Sequence, residues 1–329
     1  MKNILVTGGA GYIGSHTTDA LIKNGFNVVI IDDLSTGFKS LVHEKAKFYQ
    51  TSILDSEKTA EILVKEKIDG VIHFAAKIIV PESISQPLNY YSTNTLGVLK
   101  TLEACKKANV KNFVFSSTAA VYGNGNLDGS LIKETDPVSP INPYGFSKLM
   151  SEQIIKDVEV EFGLKSVILR YFNVAGASSS MRFGQLSKSA SHLIKISCET
   201  ACGNRSEMSI TGTDYNTQDG TGVRDYIHIE DLADVHVLAI KYLLAGGNSE
   251  ILNCGYGHGS SVREVIDVMK KVSAVDFKVT NAARRIGDAG SLVSDNSKIK
   301  KVLGWTPKKD SLELICQSAL DWEKRNLAN

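Results

Sequence analysis

The chain has 329 residues, of which 43% are hydrophobic and 22% are charged, and its formal net charge at pH 7 is +1. These values are typical of a soluble globular protein with one large domain or two smaller ones. A net charge so close to zero gives no electrostatic reason to bind nucleic acid or a membrane surface, so we expect neither as a partner.

The cysteines and the apolar runs indicate where the protein is found. Five cysteines are scattered along the chain, and no second pair or nearby histidine completes a zinc site with Cys198 and Cys202. We therefore expect no metal and mostly reduced thiols. No apolar run is long enough to span a membrane, and no signal peptide precedes the first strand pattern. These features together predict a cytoplasmic protein.

The first fourteen residues carry a pattern typical of dinucleotide binding. Residues 4–7 form a short apolar run that predicts a buried strand, and a helical pattern opens inside the glycine-rich segment that follows. The glycines fit two known spacings, one beginning at Gly8 and one at Gly9, and both continue through Gly11 and Gly14. Glycine permits the tight turn, the close approach of a pyrophosphate and the packing of helix on strand. We expect the helix N-terminus to bind phosphates.

A second apolar run, 28–31, leads directly into Asp32 and Asp33. An acid about 20 residues beyond the glycines can hydrogen-bond the ribose hydroxyls of NAD and repels the extra phosphate of NADP. The sequence therefore predicts NAD as the cofactor.

Strand and helix patterns alternate through the first half of the chain. Strands are predicted at 4–7, 27–31, 46–50, 70–74, 112–116 and 165–170, and helices at 12–24, 56–66, 88–109 and 143–162. This alternation predicts an α/β fold with a Rossmann-type, doubly wound parallel sheet.

The second half has a different composition. Residues 173–225 are rich in Gly, Ser, Asn and Thr. Helices are predicted near 187–201, 230–246, 261–272, 295–303 and 311–325, with strands near 250–254 and 276–280. We expect a nucleotide-binding domain of residues 1–172 with a return segment near 226–255. A smaller, interleaved α/β substrate domain of residues 173–329 is expected to cover the carboxyl edge of the sheet, where ligands bind.

Three side chains point to acid–base chemistry. Thr118 lies just beyond a predicted strand, and Tyr144 and Lys148 share one helix face at i and i+4. A free phenol has a pKa near 10, and an adjacent ammonium and a positive nicotinamide ring lower that pKa. Taken singly, the three residues suit a strand-end cap, a helix-face aromatic and a solvated charge. Together, behind the glycine motif, they predict a catalytic site in which Thr118 holds a substrate oxygen.

Motifs along nearly the whole chain resemble those of the extended short-chain dehydrogenase/reductase superfamily and, within it, the UDP-glucose 4-epimerases. The motifs occupy residues 6–16, 73–76, 94, 116–123, 142–148, 170–173, 219–228, 284–288 and 303–305. Related sugar-nucleotide 4,6-dehydratases carry Asp and Glu where this chain has Ala119 and Ala120. Alanine cannot transfer a proton, which argues against a dehydratase and against a UDP-glucuronate decarboxylase.

The resemblance implies a reaction without net redox change. Tyr144 as phenolate takes the proton of the sugar 4-hydroxyl, hydride passes from carbon 4 to tightly held NAD, and the 4-keto sugar turns over before hydride returns to its other face. NAD is thus recycled, and UDP-glucose and UDP-galactose interconvert. The resemblance also implies a homodimer formed through the helices near 88–109 and 143–162.

The resemblance assigns cofactor contacts to residues of the first half. These are Gly8, Gly11, Tyr12, Ile13, Gly14, Asp32, Asp33, Leu34, Ser35, Thr36, Gly37, Ser52, Ile53, Phe74, Ala75, Ala76, Lys77, Asn94, Ser116, Tyr144, Lys148 and Phe172. Ser52 replaces an acid that often contacts the adenine, which predicts looser retention of NAD. Lys77 directly follows Ala76 rather than lying a few residues further on, so its contact with a cofactor phosphate is left open.

The resemblance assigns contacts with the UDP-sugar to a second set. These are Thr118, Tyr144, Asn173, His192, Leu193, Arg224, Arg285 and Asp288. The two arginines would clamp the diphosphate, because guanidinium groups bind phosphate bidentately. Thr211 occupies a position where an aromatic often stacks on uracil, so either the base is held otherwise or the preference for uracil relaxes. Leu292 has intermediate bulk beside the sugar, which leaves UDP-N-acetylglucosamine open.

Two other functions remain open at this point. One is 4-epimerisation of another UDP-sugar, such as an N-acetylhexosamine, a uronic acid or a pentose. The other is a non-catalytic NAD-binding sensor, because a fold alone does not fix function. The intact Thr118, Tyr144 and Lys148 favour an enzyme.

Overall fold

A computed structural model describes residues 1–126, 128–187 and 190–327. The strands are β1 (Asn3–Thr7), β2 (Asn27–Asp32), β3 (Lys47–Gln50), β4 (Gly70–His73), β5 (Asn112–Thr118), β6 (Lys165–Tyr171), β7 (Asn173–Ala175), β8 (Met208–Thr211), β9 (Val223–Arg224), β10 (Tyr226–His228), β11 (Glu250–Cys254), β12 (Ser260–Ser261), β13 (Val279–Ala282) and β14 (Ser291–Leu292). The helices are α1 (Tyr12–Lys23), α2 (Ser56–Lys65), α3 (Val80–Ser85), α4 (Pro87–Tyr90), α5 (Leu96–Ala108), α6 (Pro143–Phe162), α7 (Leu193–Ala201), α8 (Ile229–Leu244), α9 (Val262–Ser273), α10 (Ser297–Leu303) and α11 (Leu312–Leu327).

The centre of the molecule is a seven-stranded parallel sheet in the order β11-β6-β5-β4-β1-β2-β3. Successive residues of β1 enter two different cores: Ile4 and Val6 pack with residues of α8, and Leu5 packs with residues of α5. Both faces of the sheet are therefore covered, which confirms the predicted doubly wound fold. The strand order reverses between β1 and β4, and ligands of such sheets bind at the carboxyl ends of the strands beside that point.

The second half of the chain returns to this sheet and also forms small sheets of its own. Strand β11 pairs with β6, as the apolar run at 250–254 predicts. Three small sheets contain four short pairings: β10 with β7, β9 with both β12 and β14, and β13 with β8. These short strands carry several of the residues assigned to substrate binding.

The predicted helix over 88–109 is interrupted. It consists of α4, a wide π turn at Tyr91–Thr95, and α5. The π turn brings Asn94 inward, where its side chain bonds the backbone of Lys77. Such turns concentrate at functional sites.

Other boundaries move by a few residues. The helix predicted from 187 begins only at Leu193; residues 188 and 189 of that prediction, and residues 328 and 329 of the predicted second domain, lie outside the described residues. The strand predicted at 276–280 is β13, whose register is set by pairing Val279 with Met208. In the described part of the chain, no helix is both long and apolar enough to cross a bilayer.

Candidate active site

The turn between β1 and α1 is packed so closely that only glycine fits. Gly8 has a φ of +71°, and a Cβ there would lie 2.7 Å from the backbone nitrogen of Ala75. A Cβ at Gly14 would lie 2.2 Å from the carbonyl oxygen of Gly8. Gly11 is the N-cap residue of α1 and offers no side-chain cap, so the first turn is open to an anion. This cradle fits the pyrophosphate of a dinucleotide.

The first two residues of α1 differ in what their side chains do. The hydroxyl of Tyr12 donates a hydrogen bond of 2.6 Å to the carbonyl oxygen of Gly176, and burial raises its pKa well above the usual value. Tyr12 thus ties the cofactor turn to the second half of the chain. The side chain of Ile13 packs against the larger core.

Asp32 ends β2 and holds the turn and the next loop together. Its carboxylate, in a side chain only 8% exposed, accepts hydrogen bonds from the backbone nitrogens of Ala10 (3.0 Å) and Leu34 (2.8 Å). Burial raises the pKa of this carboxyl. Asp33 is exposed and accepts a bond from the nitrogen of Ser35. The loop of residues 34–37 therefore wraps around Asp32.

The residues after β3 and β4 are the next ones assigned to the cofactor. The Oγ of Ser52 accepts a hydrogen bond of 3.2 Å from the nitrogen of Leu54, and Ile53 is buried. Phe74 packs on the ring of His236 at 4.7 Å. The nitrogen of Phe74 bonds the carbonyl oxygen of Thr7, which fixes the loop after β4 against the end of β1.

Asn94 braces the loop that follows Ala76. The side chain is buried; its Oδ1 accepts from the nitrogen of Lys77 (2.8 Å), and its Nδ2 donates to the carbonyl oxygen of Lys77 (3.0 Å) and to the Oγ of Ser147 (2.9 Å). The Nζ of Lys77 lies 4.0 Å from Glu82. Asn94 thus joins this loop to α6, as expected of a wall residue.

Thr118 and Tyr144 are brought together by the end of β5 and the start of α6. The side chain of Asn142 caps α6 by accepting from the nitrogen of Gly145 (2.9 Å), and Pro143 follows as the first helical residue. The hydroxyl of Thr118 is close enough to the phenol of Tyr144 to lower its pKa. A Cβ at Gly145 would lie 2.8 Å from the carbonyl oxygen of Ala120, so this glycine allows α6 to approach the strand end.

Lys148 lies one turn further along α6. Its ammonium donates a hydrogen bond of 2.7 Å to the carbonyl oxygen of Ser116 and lies 4.8 Å from the centre of the Phe115 ring. The residue is 2% exposed, and burial lowers the pKa of its ammonium to about 7, while the charge of Glu152 acts to raise it.

Burial raises the pKa of Tyr144, and the neighbouring hydroxyl of Thr118 lowers it by a smaller amount. The physical reason is desolvation, which disfavours the phenolate in a buried site. The lowering predicted from the sequence rests on two positive charges, those of Lys148 and of the nicotinamide ring, and it stays a prediction. The positive charges of Lys148 and of the nicotinamide ring must therefore overcome a burial penalty before Tyr144 can act as a base.

A buried polar network behind the catalytic residues was missed in the sequence. Glu152 is fully buried and accepts from the Nε (2.9 Å) and Nη2 (2.6 Å) of Arg170, and the hydroxyl of Ser117 also donates to it. Arg170 donates to the hydroxyl of Tyr122 (2.9 Å), which donates to the Oδ1 of Asn253 (2.7 Å). Ser117, Tyr122 and Arg170 lie in the motifs at 116–123 and 170–173, but for Glu152 the signal was an acid four residues after Lys148 on the same helix face.

The two arginines of the predicted clamp are held differently. The guanidinium of Arg224, on β9, donates to the carbonyl oxygens of Val223 (2.8 Å), Ala289 (2.7 Å) and Gly290 (3.2 Å). Arg285 is half-buried on the loop after β13, near Asp288, whose nitrogen bonds its carbonyl oxygen (3.4 Å). The Nδ2 of Asn142 donates to the carbonyl oxygen of Gly287 (3.5 Å), so this loop touches the start of α6.

The remaining predicted residues lie on neighbouring elements. Phe172 is buried with Ala119 and Val121, and Leu292 packs against this cluster. The nitrogen of Asn173 bonds the carbonyl oxygen of Asp225.

The last residues singled out in the sequence are His192 and Leu193 at the start of α7, and Thr211 on β8. His192 is the N-cap residue of α7, next to Leu193, and burial lowers its pKa. Thr211 pairs with Ala282 across β8 and β13. Tyr215 lies close to this pair of strands and was not singled out in the sequence. The guanidinium carbon of Arg284 lies 4.1 Å from the centre of its ring.

The glycine cradle lies at the switch point of a parallel sheet, beside Thr118, Tyr144 and Lys148. Together these features define a site of the short-chain dehydrogenase type, which binds a nucleotide cofactor. The NAD dependent epimerase/dehydratase family matches residues 4–255, and the chain belongs to that family.

Individual relatives extend this match to the whole chain. The UDP-glucose 4-epimerase of Azospirillum brasilense is 49% identical over 321 residues, which cover 98% of this chain and 92% of that protein. The crystal structure of UDP-glucose-4-epimerase from Stenotrophomonas maltophila with bound NAD and formylated UDP-arabinopyranose has a TM-score of 0.95 and 37% identity, and covers 100% and 99% of the two chains. The UDP-Glc/GlcNAc 4-epimerase of Campylobacter jejuni has a TM-score of 0.85 and 46% identity, and covers 99% and 100%. The predicted family, fold class and NAD dependence are thereby confirmed.

Proposed function

We propose that this protein is a UDP-hexose 4-epimerase that interconverts UDP-glucose and UDP-galactose with NAD as a recycled cofactor. The observation that carries the proposal is the trio of Thr118, Tyr144 and Lys148 at the edge of a glycine cradle. Similarity to UDP-glucose 4-epimerases over 98% of the chain supports it.

On this proposal each residue of the trio has its own task. Bound NAD supplies a reversible hydride acceptor. Tyr144 takes the proton of the sugar 4-hydroxyl and later returns it, and Thr118 hydrogen-bonds the same oxygen. Lys148, fixed on the carbonyl oxygen of Ser116, contributes the positive charge that favours the phenolate and contacts the nicotinamide ribose.

The cofactor is held by the residues assigned to it from the sequence. The nitrogens at the start of α1 bind the pyrophosphate, and Asp32 binds the adenosine ribose. The cradle supports this role because its backbone positions are fixed by contacts that leave no room for a side chain.

The nucleotide of the substrate must be gripped while the hexose turns, so the binding energy is placed on uridine and diphosphate. Arg224 is oriented in advance by three carbonyl oxygens, and Arg285 completes the clamp from its loop. Asp288 binds the uridine ribose, Asn173 the sugar or phosphate, and His192 and Leu193 line the nucleotide pocket.

The proposal keeps the division into an NAD-binding part, residues 1–172 with a return near 226–255, and a UDP-sugar-binding part, residues 173–329. It also keeps the homodimer. Large apolar residues are exposed on the two segments assigned to the interface, and they support it: Leu88, Leu96, Leu99, Phe146 and Met150. Sedimentation at micromolar concentration tests this assembly. The cytoplasm remains the proposed location; the free thiols support it.

UDP-N-acetylglucosamine is a second candidate substrate. Leu292 packs against Ala119 and Phe172 beside the trio. A large aromatic side chain at this position would exclude an N-acetyl group, and a leucine occupies less space. The relative from Campylobacter jejuni is described as acting on both UDP-Glc and UDP-GlcNAc.

A substrate panel tests the proposal. Purified protein with bound NAD is incubated with UDP-galactose, UDP-N-acetylgalactosamine, a UDP-uronic acid and a UDP-pentose, and each 4-epimer is measured. We expect the highest kcat/KM with UDP-galactose. A higher kcat/KM with another UDP-sugar would identify that sugar as the preferred substrate. No conversion of any sugar would favour the non-catalytic NAD-binding sensor.

A further inference from the structure

Glu152 occupies a place in the site that the reaction described above does not use. Tyr144, Lys148 and Glu152 lie at i, i+4 and i+8 of α6 and so share one face of the helix. The last two are 2% and 0% exposed. A row of phenol, ammonium and carboxylate therefore runs inward from the catalytic end of the helix.

The ammonium of Lys148 lies in a buried environment, which disfavours its charge. Its hydrogen-bond partner is the carbonyl oxygen of Ser116, and the ring of Phe115 lies beside it. The titratable groups around it are Tyr144 and Glu152 from α6, His73 from β4 and Tyr171 from β6. His73 is itself kept neutral by burial and by the charge of Lys148, and the phenol of Tyr171 is buried. The carboxylate of Glu152 is the anionic group among these neighbours.

Arg170 makes such a carboxylate possible. A buried anion is stable only when a partner charge and hydrogen bonds compensate its desolvation. Arg170 binds Glu152 through Nε and Nη2, and Ser117 donates a third hydrogen bond. The guanidinium is in turn oriented by Tyr122 and Asn253. The carboxylate is thus fixed in position one helical turn from Lys148.

We propose that Glu152, held by Arg170 and Ser117, is a positioning residue whose carboxylate, one helical turn away, keeps the buried Lys148 ammonium charged on the carbonyl oxygen of Ser116. Its effect reaches Tyr144 through Lys148, because a charged ammonium favours the phenolate and a neutral amine does not. This role rests on the proposed function for Tyr144 as the base. Burial alone lowers the pKa of Lys148 and the charge of Glu152 raises it, which agrees with this role.

The test measures ionisation of Tyr144 in two ways. One is the acid limb of the pH profile of kcat/KM for UDP-galactose. The other is the ultraviolet difference titration of the NAD-loaded protein, with the same variant carrying Tyr144→Phe subtracted to isolate this tyrosine from the other ten. The titration needs no turnover, so an inactive wild type would count against the proposed function and leave the role of Glu152 measurable.

We expect Glu152→Gln to move both readouts upward by about one pH unit, because Lys148 loses its charge. The double variant Glu152→Gln with Arg170→Met removes the unpaired guanidinium and keeps the shift in the same direction. Glu152→Asp, which retains the charge, stays close to wild type. Glu159→Gln is the matched control: it lies on the same helix and bonds Ser166, and we expect no shift.

If Glu152→Gln does not fold, the double variant and Glu152→Asp carry the test. A lowered melting temperature with both readouts unmoved in the folded variants would overturn the proposal, because that is the result of a purely structural ion pair. A shift in Glu159→Gln equal to that in Glu152→Gln would overturn it as well.

Discussion

The glycine cradle and the loop of residues 284–288 are built in opposite ways. In the cradle, Cβ atoms at Gly8 and Gly14 would lie 2.7 Å and 2.2 Å from backbone atoms, so the backbone itself forms the binding surface. In the loop, Arg285 is half-buried and Ile286 is 84% exposed. The loop touches the start of α6 through one bond from Asn142 of 3.5 Å.

This difference matches the two tasks of a 4-epimerase. A cofactor that must be kept until hydride returns is best bound by a surface that is organised before binding. A substrate that enters, turns and leaves in each cycle is better bound by side chains on a loop. The account therefore predicts that changes in the cradle affect retention of NAD and that changes in the loop affect KM.

The largest expected effect belongs to neither region but to the base between them. Tyr144→Phe removes the proton acceptor, and we expect kcat to fall on the order of 1,000-fold while NAD stays bound. Stopped assays of UDP-glucose formation and the nucleotide content of the purified protein measure both. Tyr49→Phe, which loses the part-buried hydrogen bond from the Tyr49 hydroxyl to Glu66, is the control. Activity that survived in Tyr144→Phe would show that the base is wrong.

Gly14→Ala is the sharpest change within the cradle. Its Cβ would meet the Gly8 carbonyl oxygen, so the turn must move. A misplacement of about 1 Å lowers the reaction rate on the order of 100-fold. We also expect most bound NAD to be lost, because the nitrogens of the turn no longer face the pyrophosphate. Gly25→Ala is the control, since a Cβ there has no neighbour within 4 Å although its φ of +81° strains any residue. Equal loss of NAD in both variants would refute the role of the cradle.

Arg285→Met probes the loop. A charge-assisted hydrogen bond to phosphate is worth about 1.5–3 kcal/mol, so KM should rise roughly tenfold or more at unchanged melting temperature. Arg224→Met should raise KM and also lower the melting temperature, because three carbonyl oxygens lose their donor. Arg205→Met, which loses a surface ion pair with Glu199, controls for charge. A fall in kcat at unchanged KM would contradict the comparison.

The smallest expected effect is at Ser52. Ser52→Asp replaces a neutral acceptor for the adenine amino group with an ionised one, a gain of about 1 kcal/mol, so NAD should dissociate roughly fivefold more slowly. Ser52→Ala supplies no acceptor and should not slow the dissociation of NAD. Dissociation is followed by gel filtration and nucleotide analysis. Faster loss from Ser52→Asp would mean that adenine lies elsewhere.

Elements with local signals are predictable from the sequence. Helix α6 runs over Pro143–Phe162 as predicted, because Asn142 caps it, Pro143 starts it and Gly163 ends it with a φ of +71°. The cradle is equally local, since its glycines lie within seven residues.

Features that depend on distant partners are not predictable in this way. The π turn exists because Asn94 bonds Lys77, and the short strands β9 and β14 exist because they pair with each other across some 70 residues. The pair of Glu152 and Arg170 joins a helix to a strand. Arg170 lies in the motif at 170–173, but Glu152 lies outside the motifs, and neither position shows that the two residues meet. The burial of Tyr144, which raises its pKa, likewise depends on packing by distant parts of the chain and cannot be read from the motif.

The central claim is that hydride leaves carbon 4 and returns to the same carbon while NAD stays bound. It is tested most directly by converting UDP-galactose deuterated at carbon 4, in ordinary water, without added NAD. The account predicts that UDP-glucose keeps the deuterium at carbon 4 at every extent of conversion. Loss of the label to solvent would contradict it, because the bond at carbon 4 would then be broken by proton abstraction rather than by hydride transfer.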